Sequence, residues 1–248
     1  MKDFSKVKIA CCMMVHNDEE MIERLLSDVS KYASEVYINL NDATPRIVQA
    51  VQGCPALKGV KITKNLGRKN WSNDEPRVGF ENDKSWNQGL QRDNTIRMLD
   101  EIKPDIVLFP DSDEIYPNNL MEQLKEFWED EEKITFWFRL LYMWNDEQHF
   151  RNDGLYRRIH HVRAYKWQPD ITYKPYSGYA CPTTFINLPR ETRFNSNAPT
   201  KHYGYMTEEL RDRKYSRYVK DYINDKKFRA KIDEGMIIKS IEGIKEIQ

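Results

Sequence analysis

Residues 8 to 15 read Lys-Ile-Ala-Cys-Cys-Met-Met-Val, with seven apolar side chains in succession and no polar alternation. A strand with one wet face alternates; a strand covered on both faces does not. The chain is therefore held to a sheet lying between two layers, and the following segments can supply them. Asn17 is a good N-cap, and Glu20 three residues later completes a capping-box pattern. Met21, Ile22, Leu25, Leu26 and Val29 then share one face at helical spacing. Residues 35 to 40 read as a second strand, Asn41-Asp42-Ala43-Thr44-Pro45 as a turn, 47 to 51 as a short helix and 60 to 64 as a third strand. Residues 65 to 83 are polar, with Gly67, Pro76 and Gly79, and read as a long loop of the kind that often carries function. Residues 85 to 102 have helical spacing, 105 to 109 form a buried strand stopped by Pro110, and 120 to 128 form a further helix. This β-α-β-α-β order predicts an α/β fold with a mostly parallel central sheet.

After residue 133 the pattern changes. Residues 134 to 143 form a long aromatic-rich strand, and 145 to 200 are rich in Tyr, Trp, Arg, Pro and Asn. Helix signals return at Thr207, a plausible N-cap. Residues 231 to 248 read as an amphipathic helix with Ile232, Met236, Ile237, Ile241 and Ile244 on one stripe. The expectation is an α/β part over 1–133 and a helix-ended extension over 134–248, joined as one continuous globular unit. With 40% apolar and 12% aromatic residues the chain can bury a core. No apolar run reaches bilayer length, and the N-terminus lacks a signal-peptide pattern, so a cytoplasmic protein is expected. Cys11, Cys12, Cys54 and Cys181 are too scattered for a disulfide framework, and no CxxC pattern marks a zinc ribbon. The net charge of zero conceals an asymmetry: residues 1–150 hold 19 Lys and Arg against 27 Asp and Glu, and 151–248 hold 20 against 12. A basic second part favours an anionic partner there, although two solvated faces would give the same counts.

The strongest chemical signal is Asp105-Ile-Val-Leu-Phe-Pro-Asp111-Ser112-Asp113-Glu114. A buried strand ends and at once presents three carboxylates, at the place where open α/β sheets bind ligands. Asp111 and Asp113, two residues apart on a turn, suit one hard cation such as Mg²⁺ or Mn²⁺, which shares its sphere with substrate phosphates. The plainer reading is an acidic turn capping the next helix. It ranks lower because three crowded acids repel unless positive charge sits among them. Two more strand ends, Val15-His16-Asn17 and Asn41-Asp42, could reach the same edge, although Asn and Asp are also ordinary turn residues.

Together these residues resemble a GT-A glycosyltransferase of the family-2 type. The resemblance is carried by Val15-His16-Asn17-Asp18-Glu19, Asn41-Asp42-Ala43-Thr44, Gln91-Arg92-Asp93-Asn94 and Asp111-Ser112-Asp113-Glu114, over residues 7 to 125 or about half the chain. It implies a GT-A-like nucleotide-binding domain followed by an acceptor-binding extension. It also implies a nucleotide-diphosphate sugar as donor, held by His16, Asn17, Asn41, Asp42, Arg92 and Asp111, with Mn²⁺ or Mg²⁺ on Asp111 and Asp113. Less firmly it extends to Lys201-His202-Tyr203-Gly204-Tyr205, with His202 as a metal ligand and Lys201 on the diphosphate. Asn41 departs from the family, which more often has an acid there.

The chemistry this implies is transfer of a sugar to an acceptor hydroxyl, with the cation, Arg92 and Lys201 balancing the departing diphosphate. An inverting enzyme needs a carboxylate to deprotonate the acceptor, and Asp146, which ends a strand at the sheet edge, is the candidate. The basic and aromatic residues at 151–166 and 211–231 suit either a polyanion, such as hydroxymethylated pyrimidine DNA, or a cell-surface glycan as acceptor. Trp144, Trp167, Tyr173, Tyr176 and Tyr179 could wall the acceptor or equally form core of the second part. A nucleotidyltransferase would share the sheet and paired acids but usually has a Gly-rich basic loop after the first strand, absent after Val15. A non-catalytic nucleotide- or nucleic-acid-binding module is the remaining alternative, and the intact acids argue against it.

Overall fold

The computed structural model describes residues 3–15, 19–41, 43–63, 88–169, 171, 188–213 and 238–240. Eleven strands and four helices are assigned among them: β1 (Ile9–Val15), α1 (Ile22–Val29), β2 (Glu35–Asn41), α2 (Pro45–Gln52), β3 (Leu57–Thr63), α3 (Gln88–Arg97), β4 (Ile106–Leu108), β5 (Glu114–Ile115), α4 (Leu120–Glu129), β6 (Thr135–Trp144), β7 (Asp146–Arg151), β8 (His160–Lys166), β9 (Arg193–Asn195), β10 (Thr200–His202) and β11 (Ile238–Ser240). The main path runs β11-β7-β6-β8-β4-β1-β2-β3, with β9 and β10 also pairing β6, and β5 pairing β10.

The strands β1 to β4 are parallel throughout, β1 pairing with β2 and β4, and β2 with β3. β8 enters antiparallel between β4 and β6, so β6 recovers the direction of β4. Only β5, β7 and β8 run against the rest. This is the expected α/β class. The two-faced burial read from residues 8 to 15 is visible residue by residue. Ile9, Cys11, Met13 and Val15 join one apolar cluster with Leu25 and Val29 of α1, Ile47 and Val51 of α2, and Leu124 and Phe127 of α4. Ala10 and Cys12 join the opposite cluster with Ile96 and Leu99 at α3. Alternate side chains of one strand thus feed two layers, and each fully buried Leu, Ile or Val contributes about 1.5–3 kcal/mol.

The order β3-β2-β1-β4 reverses between β1 and β4. Consecutive strands step one way from β1 to β3, and β4 then lands on β1's other side. In open α/β sheets the ligand crevice lies outside the carboxyl ends of the strands at such a switch point. The ends concerned are Val15 and Leu108-Phe109-Pro110-Asp111.

Two local expectations change. α1 begins at Ile22 with Met21 as its N-terminal flank, which makes no side-chain cap; Asn17 and the long loop at 65–83 lie outside the described residues. The tail was expected to be one helix over 231–248. Its described part, β11, instead pairs antiparallel with Phe150 and its neighbours in β7. Helical spacing competes there with two adjacent β-branched residues and a strand edge offering backbone hydrogen bonds, and the edge prevails. Upstream of the tail Thr207 caps as read, its hydroxyl accepting the Leu210 amide at 3.2 Å.

Candidate active site

The acidic turn after β4 is built around two buried arginines. Asp111 Oδ1 accepts from Arg92 at 2.5 Å and Oδ2 from Arg163 at 2.5 Å. Arg163 also forks onto Glu114, Nη2 reaching Oε1 at 2.7 Å and Nε reaching Oε2. Glu114 closes the turn by accepting the Asp111 amide at 3.1 Å. Arg92, Arg163, Asp113 and Glu114 are all buried. Burial opposes the charge on Asp111, but Arg163 and Arg92 outweigh it and hold the carboxyl well below the usual range. Glu114 has no exposure and is pushed up to about 7, burial outweighing Arg163, with Asp111 and Asp113 adding to the rise. His161, 3.4 Å from Arg163, is pressed down to about 3 by burial and that guanidinium, and is neutral near pH 7.

Each arginine is aimed by its element. Arg92 lies on α3, and Asn39 of β2 donates to Thr95 of α3 at 3.0 Å, which sets the helix against the sheet one turn beyond Arg92. Its guanidinium also lies 5.1 Å from the Phe109 ring centre. Arg163 lies on β8, whose carbonyl at Arg163 accepts the Phe109 amide at 2.8 Å, placing it beside the carboxyl end of β4. The Arg163 carbonyl takes a second bond from the Tyr116 hydroxyl at 2.7 Å.

Asp113 faces the other half of the site. Its carbonyl accepts the Tyr203 amide at 2.8 Å, and its Oδ1 lies 3.6 Å from His202 Nε2. That separation is too long for an ordinary hydrogen bond and suits two groups sharing one ion at about 2.1 Å each. His202 Nδ1 accepts the Gly204 amide at 3.3 Å, so ligation through Nε2 requires the ring proton on Nδ1 and release of that amide. Among the described residues no group of three or more metal-type side chains forms a cage. Mg²⁺ commonly takes one or two carboxylates and completes its sphere with substrate phosphates, so Asp113 with His202 fits such an ion. In this arrangement guanidiniums balance Asp111, and Asp113 is the carboxylate that faces His202. The repulsion that argued for a cation among three acids is met for Asp111 and Glu114 by arginine.

Asp111, Asp113, Arg92 and His202 therefore come together. Asn41 is fully buried at the carboxyl end of β2, opposite Thr63 of β3. His16, Asn17 and Asp42 lie outside the described residues. Lys201 does not join the group. In the β5–β10 ladder His202 pairs with Glu114 and Lys201 with Ile115, and successive residues of a strand face opposite sides. With His202 turned to the acidic turn, Lys201 is turned to the reverse face. Asp146 is exposed at the start of β7; its carboxylate takes the Gln148 amide at 2.7 Å and lies 2.8 Å from His149 Nδ1. The Gln148 amide and His149 lower its pKa, and a carboxylate held down in this way is a weak proton acceptor.

Residues the motifs did not single out complete the site. Arg163 was one of several cations read as an acceptor patch. Tyr142 packs against His202 with ring centres 4.6 Å apart and planes tilted by 36°, and Tyr156 and Tyr205 surround Tyr142 at 4.9 and 5.5 Å. Of the two readings of Trp144 and Trp167, wall or core, both residues follow the core reading. Trp144 is buried, with Arg151 and Arg211 over its ring at 5.3 and 4.5 Å, and Trp167 packs on the α3-side cluster. Tyr173, Tyr176 and Tyr179 lie outside the described residues. Arg151, also read as a patch cation, is buried in a two-bond pair with Asp153 at 2.8 Å.

The parallel β3-β2-β1-β4 core carries the Asp-X-Asp turn on its switch-point strand, as a mostly parallel α/β sheet with that motif was expected to do. No family model and no curated protein matches the chain. Among solved structures, glucosyl-3-phosphoglycerate synthase from Mycobacterium tuberculosis, in complex with Mg²⁺ and UDP, is 19% identical, with a TM-score of 0.35 over 56% of this chain and 44% of that one. TarS from S. aureus, in complex with UDP, is 18% identical, with a TM-score of 0.37 over 56% and 36%. A mycobacterial protein is 15% identical, with a TM-score of 0.35 over 62% and 45%. The match thus spans less than half of each of these chains.

Proposed function

We propose that the chain is a metal-dependent glycosyltransferase that moves a sugar from a nucleotide-diphosphate donor to an acceptor hydroxyl. What supports this is the grouping of Asp111, Asp113, Arg92, Arg163 and His202 outside the carboxyl end of β4, beside the switch point. Asp113, with His202 beside it, holds Mn²⁺ or Mg²⁺, and the ion supplies positive charge to the phosphate oxygens of the donor. Asp111 is fixed by two guanidiniums and accepts hydrogen bonds from the donor's ribose or sugar hydroxyls on its exposed side, its side chain being 32% accessible. Arg92 and Arg163 keep the edge close to neutral, so an anionic donor is not repelled. Tyr142, Tyr156 and Tyr205 offer ring faces to a sugar near His202. A glycan or small polyol hydroxyl is favoured as acceptor over DNA, because Arg151 and Arg163 are used inside the protein.

The test is a melting-temperature panel of nucleotide sugars differing in base and sugar, with and without Mn²⁺. A ligand that binds only the folded state raises its melting temperature. At least one donor should give a metal-dependent rise, and Asp113→Asn should remove it without changing the far-ultraviolet circular dichroism. Absence of any metal-dependent rise across the panel overturns the proposal.

A further inference from the structure

The reverse face of the β5–β10 ladder is the wall of a separate cavity of about 290 Å³, between α1, the turn that follows β5, and β10. Three cations line it: Arg24 and, beyond the C-terminal end of α1, Lys31, together with Lys201 from β10. Arg24 is committed to Glu147 through two bonds of 2.6 and 2.9 Å and to the Tyr203 hydroxyl at 2.9 Å. Lys31 pairs with the buried Asp28 at 3.1 Å. The Lys201 ammonium forms no hydrogen bond or ion pair with any described residue, although Glu147 and Arg24 act on it electrostatically. Two carboxylates thus answer two cations, and the third cation faces a polar cavity. Ser27 and Asn118 add neutral hydrogen-bonding groups to the lining.

We propose that this cavity is a binding site for a small phosphoryl oxyanion, either free phosphate or the phosphate of a small ester, with Lys201 as its principal contact. The ammonium group binds phosphate as a point charge, and Arg24 and Lys31 add field around it. The volume lies at the lower limit of ligand pockets. It suits a phosphate or a three-carbon phosphate ester, and is too small for a nucleotide sugar. The site faces away from Asp113 and His202 and stands whether or not the glycosyl-transfer reading holds.

The wild-type protein is titrated with inorganic phosphate and, separately, with glycerol 3-phosphate, following melting temperature and heat of binding. The same titrations are run on Lys201→Gln, Asn118→Asp and Asp113→Asn. Wild type and Asp113→Asn should respond alike, Lys201→Gln should bind at least tenfold more weakly, and the added negative charge of Asn118→Asp should also weaken binding. Asn118 is exposed, so that variant tests the cavity even if Lys201→Gln does not fold. A stronger response to glycerol 3-phosphate assigns the ester, and an equal response assigns free phosphate. The proposal is overturned if wild type does not respond, if Asn118→Asp binds as wild type does, or if folded Lys201→Gln does. A response lost in Asp113→Asn also overturns it, because binding then belongs to the acidic turn.

Discussion

Arg163 is the residue on which the acidic turn depends. It is 2% exposed and carries bonds to Asp111 and Glu114 together. Removing one partner of a buried ion pair leaves the other charge without compensation, which costs about 3–5 kcal/mol. Arg163→Met should lower stability in urea by about that amount. The double variant with Glu114→Gln should recover part of it, because less negative charge is then stranded. The turn also sets an acid response. The unfolded chain takes up a proton at His161 near pH 6.5, whereas the folded chain resists protonation there down to about pH 3. The His161 contribution to stability is fully present above pH 6.5 and is lost as pH falls through that window. Glu114 has the opposite sign. Its folded value near 7 lies above the ordinary value, so it costs stability above pH 7 and relieves that cost as pH falls toward 4.5. The two oppose each other between about pH 6.5 and 4.5, so the check is a difference. Stability of His161→Gln should fall less steeply than wild type between pH 6.5 and 3, and a parallel pair of curves would refute this.

At the scale of elements, the site is held by helix-to-sheet and strand-to-strand registers. α3 has little apolar periodicity in its described sequence, Gln-Gly-Leu-Gln-Arg-Asp-Asn-Thr-Ile-Arg, and is pinned instead by the Asn39–Thr95 bond and by Ile96 and Leu99. Thr95→Val keeps the volume and removes the hydroxyl. It should cost about 1–3 kcal/mol, because a buried amide loses a partner. It should also raise KM for the donor more than it lowers kcat, because Arg92 loses its fixed setting; an unchanged KM would mean that α3 is positioned without this bond. α1, α2 and α4 were legible because their apolar faces follow the 3.6-residue repeat, whereas the start of α2 at Pro45, capped by Thr44, fell inside the segment read as a turn. Residues 238–240 were misread as helix because periodicity describes a segment alone, and β11 exists through the open edge of β7.

At the scale of the whole molecule, several cations among the described residues of the basic second part are used inside the protein. Arg151 and Arg163 are internal, Lys166 donates to the Asp130 carbonyl at 2.6 Å, and Lys201 faces a cavity. Fluorescence anisotropy at about 150 mM salt should show no saturable binding of duplex DNA; tight binding that weakens steeply with salt would restore the polyanion acceptor. Among the described residues no helix is long and apolar enough to cross a membrane. The second part also contributes to the same sheet as the first, since β8 lies between β4 and β6.

By itself the sequence determined the layered sheet, because an unalternating apolar run is stable only when both faces are covered, and it marked the acidic turn, because carboxylates after a buried strand are local in the chain. Only the tertiary structure decided which charges meet. Asp111 and Arg163 are 52 residues apart and Asp113 and His202 are 89 apart in number. Their contact, and the turning of Lys201 to the opposite face, follow from strand insertion and ladder register. Both depend on which strands meet across the sheet, and that is decided by segments far apart in the chain acting together.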